Sequence, residues 1–199
     1  MLKITHVEKS YGKKSWFHPA PHCIVKDVTF ECPVGESIAI IGESGSGKST
    51  LSRMILGIER PDKGSVTLND QPMYRAKVRR HQISAVFQDY TSSLHPFQTV
   101  RNIMFEVMCR CDKKYKEDME IDAIKLLEEV GLTKAYLDKY PNMLSGGEAQ
   151  RVAIARAICM NPQYILFDEA ISSLDMSIQT QILDLLKKLR QTRLLSYLF

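Results

Sequence analysis

The stretch "GESGSGKST", Gly42 to Thr50, decides the fold of this chain of 199 residues. It satisfies the pattern G-x-x-x-x-G-K-[ST]. It follows the apolar run "ESIAII", a predicted short buried strand, and it opens a predicted helix from about Lys48 to Gly57. In such a strand–loop–helix unit, glycines let the backbone wrap closely around phosphates, so that amide hydrogens point at the β-phosphate. A Gly/Ser-rich turn can match this pattern by chance, but the flanking strand and helix favour a nucleotide site.

Two side chains of this loop carry charge or metal chemistry. Lys48 supplies a cation for the β- and γ-phosphates, and the Ser49 hydroxyl can complete a Mg²⁺ shell. The other nucleotide contacts predicted in the loop are Gly42, Glu43, Ser44, Gly45, Ser46, Gly47 and Thr50.

A second element, "YILFDEA" (Tyr164 to Ala170), delivers two carboxylates to the end of a predicted buried strand. A carboxylate there can hold Mg²⁺ through water, and its neighbour can accept a proton from an attacking water. An Asp-Glu pair is more often only the place where a strand turns polar. Combined with the phosphate loop, it predicts Asp168 as a Mg²⁺ residue and Glu169 as the catalytic general base.

The composition describes an ordinary globular protein. With 44% apolar and 25% charged residues, the chain can bury a sizeable core. The net charge of +4 is too small to imply a polyanionic partner, so we expect no nucleic acid. The one dense basic stretch, "RAKVRR" (Arg75 to Arg80), is most simply a solvated surface.

Cysteine usage and hydropathy favour a cytosolic chain. The five cysteines are odd in number and lack C-x-x-C spacing. Cys109 and Cys111 could bind a soft metal, but free thiols in a reducing cytosol are the better interpretation. No apolar run approaches the roughly 18 residues of a membrane helix. We therefore expect any membrane role to come through a partner.

The positions of turn-forming residues and the hydrophobic periodicity predict alternating strands and helices. The predicted strands are "LKITHV", "CIVKDVTFE", "ESIAII", "SVTLND", "ISAVF" and "YILFDEA". The pattern is helical from about Thr99 to Asn161, where "EIDAIKLLEEVGL" closes at Gly131, and a last amphipathic helix spans Met176 to Arg190. This order predicts one α/β domain, a mostly parallel sheet core interrupted by a helical insertion. The nucleotide-binding core comprises 1–87 and 164–199, and the helical subdomain comprises 88–163.

A third motif, "LSGGE" (Leu144 to Glu148), lies at the mouth of a predicted helix. Unpaired amides and the dipole make such a mouth attractive to anions. The motif resembles the signature sequence of ABC ATPases, and the order of the other motifs over the whole chain agrees. Tyr11 stands where this family stacks an aromatic ring on adenine, although it could be plain core. Gln88 stands at the family's Q-loop, although it could be an ordinary strand end, and Asp175 ends the D-loop "SSLD".

This resemblance implies a P-loop ATPase fold with an antiparallel β part and a helical subdomain, and ATP and Mg²⁺ as cofactors. In the family two nucleotide-binding domains pack head to tail with each ATP between them. Ser145, Gly146 and Gly147 are therefore expected to contact the nucleotide of the neighbouring chain. The resemblance also implies that Gln88 contacts nucleotide and Mg²⁺, and that Asp175 lies at the nucleotide site.

The stretch "FQDYTSSLHPFQTVRNI" (Phe87 to Ile103) resembles importer ATPases for peptides and nickel. Ala170, where most ABC ATPases have Pro, resembles the nickel branch. We therefore favour nickel import, with oligopeptide or dipeptide import as the alternative. The implied partners are a sister ATP-binding subunit, two permease subunits and a solute-binding protein, with the chain peripheral on the cytoplasmic face of the membrane.

Two departures from the family pattern matter. Glu148 replaces the usual Gln of the signature, and a carboxylate near a triphosphate predicts weaker ATP binding there. The sequence stops at "RLLSYLF", before the family's switch histidine, so we expect a chain that ends there to bind ATP with impaired hydrolysis. Lys48, Asp168 and Glu169 favour an intact catalytic design in the full-length protein.

Three other classes share parts of this pattern. DNA-repair and chromosome ATPases carry a long coiled coil between Q-loop and signature, but Gln88 and Leu144 are only 56 positions apart. Translation-associated ABC proteins carry two cassettes, whereas this chain has one. A non-hydrolysing regulatory subunit is a further alternative. The presence of Lys48, Asp168 and Glu169 counts against it, because these residues favour an intact catalytic design.

Overall fold

The computed structural model describes residues 1–12, 22–87, 94–111, 116–168, 175–193 and 195–198. Its strands are β1 Leu2–Tyr11, β2 His22–Cys32, β3 Ser37–Ile38, β4 Lys63–Leu68, β5 Gln71–Pro72, β6 Ile83–Phe87, β7 Tyr164–Asp168 and β8 Ser196–Leu198. Its helices are α1 Lys48–Ile55, α2 Ala76–Arg79, α3 Val100–Cys111, α4 Lys116–Glu129, α5 Gly146–Ile158 and α6 Met176–Arg193. Two 3-10 helices, Lys134–Asp138 and Pro141–Met143, precede α5.

The strands form two sheets, in agreement with the predicted fold class. One is antiparallel, in the order β2-β1-β4-β5, and the other is parallel, in the order β3-β8-β7-β6. β6 and β7 pair in register, so that Phe87 lies beside Asp168 at the end of both strands. Because parallel strands end at one edge, the register brings the Asp168 carboxylate to the carboxyl edge of the sheet, where α/β proteins bind ligands.

A buried tyrosine joins the two sheets. The Tyr164 hydroxyl accepts a hydrogen bond from the Leu2 amide at 3.1 Å and donates one to the Cys32 carbonyl at 2.8 Å. Burial raises the pKa of this phenol above its usual value. Since Tyr164 begins β7, these bonds fix the strand that carries Asp168 against β1 and β2.

Two apolar clusters fill the interior. One packs α1 against the antiparallel sheet and one face of β7, and the other is centred on α5 and includes α3, α4, α6 and the opposite face of β7. A bidentate ion pair also crosses between helices, since the Arg193 guanidinium donates to both Glu129 oxygens at 2.7 Å. It ties the end of α4, in the helical part, to the end of α6.

Several elements differ from the sequence expectation. β3 is only Ser37–Ile38, which pairs with β8 at two positions, and Ile41 at the end of the predicted buried strand is 94% exposed. The basic stretch is not simply solvated. It forms the short helix α2, and the half-buried Arg79 donates to the Gly57 carbonyl at 2.7 Å. α6 extends to Arg193 rather than Arg190, and the Arg193 side chain is held there by the ion pair with Glu129.

Within the described part of the chain, no helix is both long and apolar enough to pass through a bilayer. The same residues contain no group of three or more His, Cys, Asp or Glu side chains placed to hold a metal ion together.

Candidate nucleotide-binding site

The phosphate loop has the backbone of an anion cradle. Gly47 has φ +95°, and a Cβ there would come within 2.7 Å of the Ile24 carbonyl oxygen, so a larger residue is excluded. α1 begins directly after Gly47, which has no side chain with which to cap it. The first amides of a helix have no acceptor within it, and such a helix mouth attracts anions. Residues 42–46, which form the rest of the loop, are exposed.

Lys48 lies over this loop. Its ammonium group donates to the carbonyl oxygens of Gly42 at 2.8 Å and Glu43 at 2.9 Å. Both carbonyls belong to the start of the loop, so the cation is held across the mouth of the cradle. A phosphate seated in the loop would meet the α1 amides and the Lys48 ammonium together.

The loop and the predicted metal carboxylate converge. The Ser49 hydroxyl donates to Asp168 Oδ1 at 3.4 Å, although the two residues are 119 positions apart. A hydroxyl and a carboxylate are the oxygen ligands that Mg²⁺ prefers, directly or through water. The donor set therefore fits a Mg²⁺ ion held between Ser49 and Asp168.

Tyr11, expected to stack on adenine, is oriented by a carboxylate that sequence reasoning missed. The ring is 41% exposed, and its hydroxyl contacts both Glu59 carboxylate oxygens, at 2.6 and 2.7 Å. Lys9 lies 3.3 Å and Arg53 3.6 Å from the same carboxylate. The hydrogen bond from Tyr11, then the one from Lys9, lowers the pKa of Glu59. Glu59 follows α1 in a loop and no local pattern marked it.

The signature residues lie where the sequence placed them, at the first turn of α5. Ser145 is the N-cap and is exposed, and Gly146 begins the helix. Gly147 is buried, and a Cβ there would lie 3.0 Å from Ile178 Cγ2 on α6. The missing side chain at the second glycine of the signature therefore permits close packing of α5 on α6.

Glu148, the departure from the family pattern, is held within the helix cap. Its Oε2 accepts from the Ser145 amide at 2.8 Å, and its own amide donates to Ser145 Oγ at 3.4 Å, which completes a capping box. Its Oε1 accepts a hydrogen bond from the Tyr136 hydroxyl. That bond, followed by the bond from Ser145, lowers the pKa of Glu148. The spacing S-x-x-E could have revealed the capping box, but no sequence signal indicates Tyr136.

Some predicted site residues lie outside the described ranges. These are Gln88 and the general base Glu169, which follow Phe87 and Asp168 in the chain. Asp175 is described and exposed, and its carbonyl accepts from the Gln179 amide at 2.9 Å at the start of α6. The predictions for these side chains remain predictions.

Two grooves flank β6, which is an edge strand of the parallel sheet. One, of about 560 Å³, lies between β6, α3 and α5, and the other, of about 630 Å³, lies between β6, α2 and the end of α1. Phe87 and Arg110 line both. Arg156 joins the first groove, and Arg79 and Arg80 the second. Among the described lining residues there is no Asp or Glu, so both grooves are basic.

The strand–loop–helix cradle, the Ser49–Asp168 contact and the capped glycine turn of α5 define a P-loop nucleotide-binding domain that carries an ABC signature. The model of the family described as "ABC transporter" matches residues 25–172. The chain therefore belongs to the ABC transporter family, as an ATP-binding subunit.

Similar proteins support this assignment. The chain is 78% identical, over all of its length and 80% of the relative, to the metal-staphylopine import system ATP-binding protein CntF of Staphylococcus aureus (strain NCTC 8325 / PS 47). It is 38% identical to the nickel import ATP-binding protein NikE of Escherichia coli (strain K12), over 96% of the chain and 74% of NikE. The dimeric, post-hydrolysis structure of the ATP-binding cassette MJ0796 bound to ADP and Pi superposes with a TM-score of 0.85 at 31% identity, covering 100% of this chain and 86% of that one.

Proposed function

We propose that the chain is the ATP-hydrolysing subunit of an importer for a metal complex, and that it acts as one half of a heterodimer beneath a membrane permease. The proposal of ATP hydrolysis rests on one observation, the 3.4 Å contact between Ser49 and Asp168. This contact brings the phosphate loop to the end of β7. A loop alone binds phosphate. A loop with a carboxylate at its metal position can also hydrolyse ATP.

The nucleotide lies with its β- and γ-phosphates at the α1 amides and Lys48, and with its adenine against Tyr11. Ser49 and Asp168 hold Mg²⁺, which neutralises charge on the phosphates when it is bound. Glu169 accepts a proton from the attacking water, and Gln88 contributes to the same site; both roles rest on the resemblance to the family.

Ser145, Gly146 and Gly147 bind the γ-phosphate of a sister subunit, with Asp175 at the same interface. In support of this arrangement, the turn that begins at the exposed Ser145 presents first-turn amides that have no acceptor within the helix. The related cassette MJ0796 was solved as a dimer. Loss of the shared γ-phosphate removes contacts from both chains, which supplies the differential binding needed for a conformational cycle.

The basic grooves beside β6 receive a cytoplasmic segment of the permease. Arginines on three sides and the 38% exposed Phe87 suit an amphipathic helix that carries carboxylates on one face. Arg80→Glu should therefore weaken association with the permease and leave ATP binding unchanged. Equal recovery of wild type and Arg80→Glu with the permease would remove this part of the proposal. Such docking would place the chain at the cytoplasmic face of the membrane.

The cargo we propose is a metal–staphylopine complex rather than free nickel or a dipeptide. The relative at 78% identity is named for metal-staphylopine import, whereas the nickel and dipeptide relatives are at 38% and 37%. This proposal narrows the expectation of nickel import to a chelated metal. The cargo never touches this subunit, so the support is relatedness and not a contact in the site.

The test is ATP turnover by the complete transporter in liposomes, with its sister subunit, permeases and solute-binding protein. We expect the metal–staphylopine complex to stimulate turnover, and Lys48→Ala to abolish it. The matched control is Lys187→Ala, because the Lys187 side chain is 78% exposed on α6 and pairs with the neighbouring Asp184. Stimulation by a dipeptide or by free Ni²⁺ instead would contradict the cargo. ATP binding without turnover by the full-length chain would favour a regulatory subunit.

A further inference from the structure

We propose that Tyr136 is a positioning residue for the signature turn. It fixes the Glu148 carboxylate within the helix cap, so that this charge does not turn toward the triphosphate held by the sister subunit. The inference rests on the proposed function, because the triphosphate meets this turn only in the dimer.

Both oxygens of the Glu148 carboxylate have donors in the described structure. Oε1 accepts from the Tyr136 hydroxyl, and Oε2 accepts from the Ser145 amide at 2.8 Å. The Tyr136 ring in turn lies under a cation, with the Lys139 ammonium 3.7 Å from its centroid. The carboxylate is therefore bound on two sides, with a positive charge close behind the phenol.

This arrangement determines which atoms of the turn remain available to an anion. The Ser145 oxygen acts as the acceptor for the Glu148 amide at 3.4 Å, so its hydroxyl hydrogen can be donated outward. The amides of Gly146 and Gly147 have no acceptor within the first turn of the helix. With Glu148 tied back, the turn presents donors and not a free carboxylate.

Removal of the Tyr136 hydroxyl should release the Glu148 carboxylate from this restraint. In Tyr136→Phe, Oε1 loses its hydrogen-bond donor, and the carboxylate can rotate toward water at the mouth of α5. There it would repel the γ-phosphate that the mouth must bind. In a Glu148→Gln background there is no charge to restrain, so the same Phe substitution should then have little effect.

The experiment is a double-mutant cycle on the full-length chain with its sister subunit. ATP-driven association is measured by analytical ultracentrifugation with a slowly hydrolysed ATP analogue and Mg²⁺. The variants are Tyr136→Phe, Glu148→Gln and the double variant, and Tyr140→Phe serves as the matched control directly before the next 3-10 helix. We expect Tyr136→Phe to weaken association about tenfold when Glu148 is present, because the released carboxylate repels the triphosphate, and less than about twofold in the Glu148→Gln background.

Salt dependence separates positioning of a charge from simple packing. Between about 0.01 M and about 1 M salt the screening length falls from about 30 Å to about 3 Å. The difference of about tenfold between Tyr136→Phe and wild type should therefore shrink at high salt. Binding of ATP to the variant's own phosphate loop should be unchanged, and thermal unfolding will show that the variants are folded.

Two outcomes would overturn the inference alone. These are an equal loss from Tyr136→Phe in both backgrounds, and wild-type association by the Tyr136→Phe variant. If the wild-type pair itself fails to associate with ATP, the proposed dimer is overturned and this inference with it. The two failures are thus distinguishable in one experiment.

Discussion

Replacement of Tyr11 by Phe tests how the proposed adenine platform, the Tyr11 ring, is held in place. The change keeps an aromatic face and removes the hydroxyl that contacts both Glu59 oxygens, at 2.6 and 2.7 Å. A hydrogen bond to a charged group contributes about 1.5–3 kcal/mol when sheltered. Tyr11 is 41% exposed, so water can replace much of that contact. We expect the ordering of the ring to account for about 1 kcal/mol, or ATP binding about fivefold weaker.

The assay compares two ligands by calorimetric titration of the full-length chain. In the proposed site ATP should contact both the Tyr11 ring and the phosphate loop, whereas inorganic tripolyphosphate should contact only the loop. Tyr11→Phe and Glu59→Gln should each weaken ATP and leave tripolyphosphate unchanged. Together they should cost no more than the larger single effect, because they break one contact. Tyr74→Phe is the matched control, since Tyr74 is similarly exposed at 44% and lies against Arg60 instead.

Additive losses would refute the coupling between Tyr11 and Glu59. A parallel loss of tripolyphosphate binding would show that the substitutions disturb the loop and not the platform. Tyr11→Ala tests the stacking itself, because unchanged ATP binding in that variant would mean that Tyr11 does not stack on adenine.

Three further predictions concern the scaffold of the site. Gly147→Ala should lower the free energy of unfolding by about 1–3 kcal/mol, the range for overpacking, because its Cβ would lie 3.0 Å from Ile178. In an Ile178→Ala background that penalty should nearly vanish in urea titrations, and a persistent penalty would exclude this clash. Tyr164→Phe leaves two buried backbone groups without their partner and should cost about 2–3 kcal/mol; an unchanged urea midpoint would contradict the bridging role. The pKa of Glu148 is lowered, so its contribution to stability is present above its unfolded pKa and is lost as the pH falls through the folded pKa. Glu148→Gln should therefore lose less stability than wild type in acid, and identical acid unfolding curves would contradict it.

The structure changes the interpretation of the negative charge on Glu148. From sequence, a carboxylate in the signature predicted repulsion of a triphosphate and weaker ATP binding. In the structure the same carboxylate is an acceptor for Tyr136 and for the Ser145 amide. The weaker ATP binding stays a prediction. It should be measured with and without Tyr136, because the effect of the Glu148 charge should depend on whether Tyr136 is present.

The sequence by itself determined the phosphate loop, Asp168 and the signature turn. Each is encoded within a few consecutive residues: glycines next to a helix start, apolar residues before a carboxylate, and Ser-Gly-Gly at a helix mouth. Local backbone conformation follows from such short patterns, and these chemical roles depend mainly on it. The order of strands and helices could also be predicted, because hydrophobic periodicity is a local property of the sequence.

Only the tertiary structure decided which distant groups meet. Ser49 reaches Asp168, 119 positions away, because β7 and α1 pack together, and Tyr11 is set by Glu59, 48 positions away. Tyr136 lies in a short 3-10 helix whose sequence indicates nothing about Glu148. Side-chain partners between separate elements depend on packing and register, which no single stretch contains. For that reason the groups proposed to perform the chemistry could be predicted from the sequence, and the groups that orient them could not.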